Sequence, residues 1–193
     1  FEKRTQAEIS HKQGGEWGAH EKYTDTQFKG YAGGDFVNVD SLTPDKHYTD
    51  HSNWIRYEGP GIESDKVGYR IYLDHRNGFD IFGKLVPEPV LQNVGQDGYA
   101  SYHEMQPWGM DLLKVGSSLG AGGFGLWLKD SVSLISDVDT WTATIQENGA
   151  LQSTFSIDYK GWKSALGQQD LQATVSMHAG SRLAHLVLDM AAP

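Results

Sequence analysis

Residues able to move protons, neutralise charge or hold a metal gather in three short stretches of this chain. The first is Tyr102-His103-Glu104, followed by Trp108 and Asp111. An imidazole beside a phenol and a carboxylate can act as an oriented general base, and a nearby tryptophan offers a flat face to a sugar ring. On an extended strand His103 would face away from both neighbours, so cooperation requires a turn or partners elsewhere. A histidine bonded to loop backbone is the plainer alternative. The second stretch is KVGYRIYLD at 66–74, where Gly68, Arg70, Tyr72 and Asp74 share one side and His75 and Arg76 follow. Arginine and tyrosine at period two can clamp a carboxylate and pass a proton, the operations that elimination from a uronic acid needs. An ion-paired sheet face explains the same pattern. The third is His47-Tyr48-Thr49-Asp50-His51, two imidazoles around a carboxylate, with His47 and His51 as candidate ligands of a divalent metal against a solvated-loop reading.

Several other chemistries are excluded. His20-Glu21 and His103-Glu104 do not open a zinc-protease helix, because Thr24 and Pro107 stand where the second histidine belongs. Ser118–Gly125 is glycine-rich but lacks the Gly-Lys-Ser/Thr of a phosphate loop and any dinucleotide fingerprint. There is no GxSxG elbow, and the absence of cysteine removes disulfides, thiolate metal sites and a cysteine nucleophile.

The elements that must carry these residues read as strands. Residues 139–147 place Trp141, Ala143 and Ile145 on one face, and 151–159 alternate Leu151, Ser153, Phe155, Ile157 and Tyr159; Glu147-Asn148-Gly149 between them predicts a hairpin. Residues 170–177 point Leu171, Ala173, Val175 and Met177 inward, and 182–189 form a further strand after Ala179-Gly180-Ser181. In 66–74 the apolar face is Val67, Tyr69, Ile71 and Leu73, while 53–58, NWIRYE, is expected to repeat the device with Trp54, Arg56 and Glu58 on one side. FDIFG at 79–83 reads as a short strand, and 109–115 as a strand or a helical turn. The expected fold is all-β, an antiparallel β-sandwich forming one domain over 1–193. The strong strand before Ala191-Ala192-Pro193 leads us to expect that the sheet continues in further sequence.

Composition narrows the partners. The 193 residues carry 16 Lys and Arg against 25 Asp and Glu, a net charge of −9, so no global field favours nucleic acid or anionic lipid. No apolar run is long enough to span a membrane as a helix. Six tryptophans and nine tyrosines suit either sugar-stacking surfaces or a sandwich core.

Residues 54–84 and 95–125, with GGEWGAHEKY at 14–23, resemble the bacterial domain of unknown function 4861 family. The pairing of EGPGIESDKVGYRIYLD with DLLKVGSSLGAGG is the specific part. The resemblance implies a periplasmic or secreted protein associated with breakdown of polyuronates such as pectin or alginate. It also implies a sandwich of the galactose-mutarotase-like kind and members about twice this length, so that the chain would be a portion associating with flanking segments or a second chain. It points to Glu58, Asp65, Tyr69, Arg70, Asp111 and Lys114 as motif positions without assigning them chemistry.

The leading expectation is therefore a polysaccharide lyase on uronate-containing oligosaccharide. Arg70 would neutralise the carboxylate, His103 or Tyr72 remove the proton beside it, and Tyr102 protonate the leaving oxygen. Trp54, Arg56, Glu58, Arg76, Trp108, Asp111 and Lys114 would bind the sugar. An Arg70→Ala variant is expected to fold and lose activity. A glycoside hydrolase drawing on Glu58, Asp74, Glu104 and Asp111, a non-catalytic sugar-binding module, and an epimerase or mutarotase are the competing readings.

Overall fold

The computed structural model describes residues 2–190. Two five-stranded sheets dominate it, and every pairing between their strands is antiparallel. The first sheet runs Thr5–Glu8, Gly61–Ser64, Val67–Ile71, Phe79–Lys84, Gly109–Asp111 in spatial order; the second runs Ala184–Met190, Gly167–His178, Gln152–Ser164, Thr140–Asn148, Ser41–Leu42. Their inner faces meet in one core. Ala7, Ile62, Ile71 and Phe79 of the first sheet share it with Ala143, Phe155, Ile157, Val175 and Met177 of the second. The all-β sandwich follows from period-two burial: in 170–177 the expected inward residues Leu171, Ala173, Val175 and Met177 are all buried. The expected hairpin closes with Gly149 N donating to Gln152 O at 2.9 Å. No helix among the described residues is long and apolar enough to cross a membrane.

Two of the positions that the resemblance singles out, Asp65 and Tyr69, tie the sheets together. Asp65 receives Arg4 and the backbone N–H of Gly180 in the turn before Ala184–Met190, and the Tyr69 hydroxyl donates to Arg182 O at 2.6 Å.

The expectation for 53–58 is corrected. These residues do not form a strand: Asn53, Tyr57 and Glu58 have positive φ, and Arg56–Glu58 is a single 3₁₀ turn. Three non-glycine residues in the left-handed region are held only where surrounding contacts over-determine them. Trp54 consequently turns inward to pack on His11, Trp17 and Tyr48. It is 8% exposed and belongs to the core, so it is not a sugar platform. In 109–115 only Gly109–Asp111 is strand.

The polar row of 66–74 is buried rather than solvent-facing. Arg70 pairs across the ladder with Asp80, and Asp111 pairs with Phe82 on the next strand. Opposed residues and residues two apart share a face, so Arg70, Asp80, Phe82 and Asp111 project together from the side of the first sheet that turns away from the sandwich core. That side is roofed by the 3₁₀ turns Leu91–Asn93 and Ser101–His103, whose Leu91 and Tyr102 join Tyr57, Phe82, Val90 and Val94 in a second, smaller core.

Candidate functional site

At the edge of this roofed layer opens a cleft of about 660 Å³ lined by Lys22, Asp50, His51, Tyr72, Arg76, His103, Asp111, Lys114 and the apolar or glycine residues of 112–116. Six of the residues proposed from sequence therefore meet here although up to 63 positions separate them: His51, Tyr72, Arg76, His103, Asp111 and Lys114.

Asp111 is set by backbone geometry. Gly109, which starts its strand, has φ +134°, and a Cβ there would lie 1.8 Å from Gly83 O, so only glycine lets the strand approach this closely. Asp111 Oδ1 accepts the Leu113 N–H at 3.1 Å, and Oδ2 accepts Arg70 at 2.9 Å. Oδ2 also lies 3.5 Å from His103 Nε2. Burial raises the Asp111 carboxyl, Asp80 adds to it, and Arg70 and His103 oppose, leaving it pushed up to about 6. His103 Nδ1 is bonded to Tyr99 O, a carbonyl that can only accept. The Nδ1 proton is thereby fixed, and Nε2 faces Asp111 across the cleft mouth. The 3₁₀ turn supplies the bend that a strand could not.

Charge on the other wall is organised by ion pairs. Asp50 accepts Lys22 at 2.5 Å, the Tyr23 hydroxyl at 2.5 Å and His51 at 3.2 Å. Burial alone would raise its carboxyl, but those three hydrogen bonds outweigh it and hold Asp50 far below the usual carboxylate range. The Asp50 bond raises His51 against its own burial, with Glu58 assisting. Arg76 is bonded to Asp74 and lies 3.0 Å from Glu58, while Glu58 also accepts the His51 backbone N–H. Lys114 differs from these cations: it is exposed and has no carboxylate partner among the described residues.

Arg70 does not face substrate, which corrects the role expected of it. Its guanidinium donates to Asp80, Asp111, the Tyr72 and Tyr102 hydroxyls and Tyr57 O, using all five N–H groups in a fully buried position. Tyr102 is likewise buried under the cleft, where burial pushes its hydroxyl up to about 12 against the pull of Arg70. It does not line the cleft and is not placed to protonate a leaving group. Tyr72 does line it, but its hydroxyl donates to Asp80 at 2.9 Å and is raised further by burial, which removes it as a base.

Three more expectations are relocated. Arg56 is buried and bonded to Glu8, Ser10 and the carbonyls of Leu91 and Val94, so it holds the second core to the first sheet. Trp108 packs edge-on against Phe82 in that second core and is not among the cleft residues. His47 bonds Gln27 O and packs against Trp17, whereas His51 sits with Asp50 and Tyr99. The two imidazoles do not share a site, and no group of three or more His, Asp or Glu among the described residues is arranged to hold a metal ion. The glycine run at 118–125 serves close approach: Gly120 has φ +70° and a Cβ there would meet Phe79 O at 2.0 Å.

Lys22, Asp80 and Tyr99 escaped the sequence reading, and Asp50 entered it only inside the His47–His51 motif. Asp80 left a signal, an acid within the apolar run FDIFG in a strand able to pair with Arg70; Lys22 and Tyr99 left none. A second cavity, of about 640 Å³, lies behind the Asp50 wall, lined by Tyr23, Phe28, Tyr48, Asp74, Asp139 and Trp141 among others.

The family described as "Domain of unknown function (DUF4861)" matches residues 1–193. Comparison with curated proteins and with solved structures finds no match.

Proposed function

The chain belongs to the domain of unknown function 4861 family, and from that premise we propose that it is an enzyme acting on uronate-containing oligosaccharide by β-elimination in the Lys22–Lys114 cleft. The observation that carries this reading is Asp111. It is an acid held near 6, 3.5 Å from a histidine of fixed tautomer, on a wall that also carries an unpartnered lysine. Lys114 takes the role first expected of Arg70 and neutralises the uronate carboxylate. His103 Nε2 then removes the adjacent C5 proton. The electron pair forms the C4–C5 double bond while the bond from C4 to the glycosidic oxygen breaks, and protonated Asp111 hands that oxygen a proton. The chain is acidic overall, and Lys22 and Arg76 are matched by Asp50, Asp74 and Glu58, so the positive charge offered to an anionic sugar in this cleft is that of Lys114. Export to the periplasm or beyond goes with the reading, since polymeric uronates are met there.

Hydrolysis has one specific observation in its favour. Asp50 and Asp111 line the same cleft with their carboxyls pushed in opposite directions, the pattern of a paired base and acid. Ultraviolet spectra of the protein with pectate, alginate and unsaturated oligouronates separate the two. Absorbance from new conjugated double bonds is the expected result. Falling absorbance on unsaturated oligosaccharides would assign hydrolysis of lyase products instead, and no change in either direction would remove both of these reactions.

Lys114→Ala checks the carboxylate contact. A charge-assisted hydrogen bond is worth about 1.5–3 kcal/mol, so kcat/KM on an oligouronate is expected to fall roughly 10–100-fold. The melting temperature is expected to stay at the wild-type value, because the exposed side chain supports nothing else. An equal loss on the methyl-esterified oligouronate, which can still undergo elimination but offers no carboxylate, would show that Lys114 does not read the carboxylate.

A further inference from the structure

A second imidazole reaches the Lys22–Lys114 cleft and has no part in the elimination. His51 enters on the wall of Asp50, from the loop before the Arg56–Glu58 turn, whereas His103 stands with Asp111. His51 has φ +61°, a left-handed conformation that glycine adopts freely and a residue with a Cβ adopts at a cost. Its side chain is 49% exposed, so core packing does not require an imidazole there. Carboxylates fix its orientation. Glu58 accepts the His51 backbone N–H at 2.8 Å, and Nδ1 lies 3.2 Å from Asp50 Oδ2 and 3.7 Å from Glu58 Oε1. Nε2 has no hydrogen-bond partner among the described residues.

Tyr99 holds the two histidines in relation to each other. The His51 ring lies 5.5 Å from the Tyr99 ring, and His103 Nδ1 is bonded to Tyr99 O. The Tyr99 hydroxyl accepts the Asn53 N–H at 2.7 Å, which ties the loop of His51 to the segment that carries His103. The two imidazoles differ in what engages Nδ1. At His103 it is a carbonyl, which holds the proton on Nδ1 and leaves Nε2 basic; at His51 it is a pair of carboxylates, which favours the doubly protonated ring. The Asp50 bond raises His51 accordingly. One cleft therefore carries a histidine set up as a base and, on the other wall, a histidine set up as an acid.

We infer that the cleft also inverts uronate residues at C5, with His51 donating a proton to the ring face opposite the one from which His103 removes it. The inference rests on the uronate reading above and gives the same intermediate a second fate. His103 Nε2 takes the C5 proton, and the electron pair of the broken C–H bond moves into the carboxylate, whose enolate form Lys114 stabilises. Elimination follows when the bond from C4 to the glycosidic oxygen breaks. Where that bond holds, the pair returns from the enolate to C5 and forms a new C–H bond with the proton of His51 Nε2, in the opposite configuration. His51 is left neutral and His103 protonated. Loss of one proton from His103 to water and gain of one by His51 restores both, so no co-reactant is needed. Asp50 is a positioning residue in this step, since it holds His51 through Nδ1.

Oligomannuronate and oligogalacturonate incubated with the full 193-residue chain in deuterated water test this. Nuclear magnetic resonance reads the sugar residues still in glycosidic linkage, and ultraviolet absorbance reads the double bonds. Inverted residues carrying deuterium at C5 are expected beside the elimination products. His51→Asn suits the left-handed backbone but cannot act as an acid, so the ratio of inverted residues to double bonds is expected to fall roughly 100-fold. A ratio, unlike a rate, does not respond to loss of folded protein. Elimination with no inverted residue in the wild type would overturn the inference and leave the elimination reading standing. A ratio unchanged in His51→Asn would likewise overturn it. Inversion without double bonds would support the inference and overturn the elimination, and the absence of double bonds, inversion and C5 deuterium together would overturn both.

Discussion

Arg70→Ala is expected to unfold the protein rather than to yield a folded, inactive one. The substitution leaves Asp80, which is wholly buried, and Asp111 without a cation, and it strips a donor from the Tyr72 and Tyr102 hydroxyls and from Tyr57 O. Breaking a buried ion pair from one side costs roughly 3–5 kcal/mol, against a total stability on the order of 5–15 kcal/mol for a single domain. Thermal and urea denaturation near neutral pH should therefore show a large loss. Arg70→Lys should recover only part of it, because an ammonium cannot reproduce a five-donor fork. Wild-type melting combined with lost turnover in Arg70→Ala would return the arginine to the substrate and displace Lys114 from that role.

Asp111→Asn carries the largest expected effect on activity with the fold kept. Arg70 retains Asp80 through two hydrogen bonds, so the buried network persists, whereas the proton donor is gone. Removing a general acid costs roughly 10²–10⁴-fold in kcat. The pH dependence gives a second reading. In the wild type, protonated Asp111 is depleted as pH rises through about 6, and kcat/KM should fall with it; the variant should lose that limb. Stability follows the same group. A carboxyl raised in the folded state contributes stability that is fully present below about 4, its unfolded value, and is lost as pH rises through about 6. Asp111→Asn should flatten that part of the curve. An unchanged rate profile would remove Asp111 from proton transfer.

The legible part of this protein was its periodicity. Leu171, Ala173, Val175 and Met177 announced a buried strand face, Glu147-Asn148-Gly149 a hairpin, and the alternation of 66–74 placed Arg70 and Tyr72 on one side. What periodicity does not state is which side faces water. The row of Arg70, Tyr72 and Asp74 resembled a functional surface because a polar face of an antiparallel strand is commonly solvated. Here the 3₁₀ turns at 91–93 and 101–103 roof it, and nothing local to 66–74 encodes that roof. NWIRYE misled for a different reason. Its alternation is strand-like, but Asn53, Tyr57 and Glu58 take left-handed conformations imposed by long-range contacts, where no glycine marks the turn. His103 and Asp111 were identifiable by residue type, but their partnership depended on a strand pairing and a turn separated by several residues. Lys22 and Asp50 reach the same cleft from loops whose closure no motif records.

The most direct test is the titration of the Asp111 carboxyl carbon by ¹³C nuclear magnetic resonance, assigned against Asp111→Asn, in the presence and absence of an oligogalacturonate. The account predicts a midpoint near 6 that moves when the anionic sugar enters the cleft. A midpoint in the ordinary range around 4, unmoved by the sugar, would contradict it.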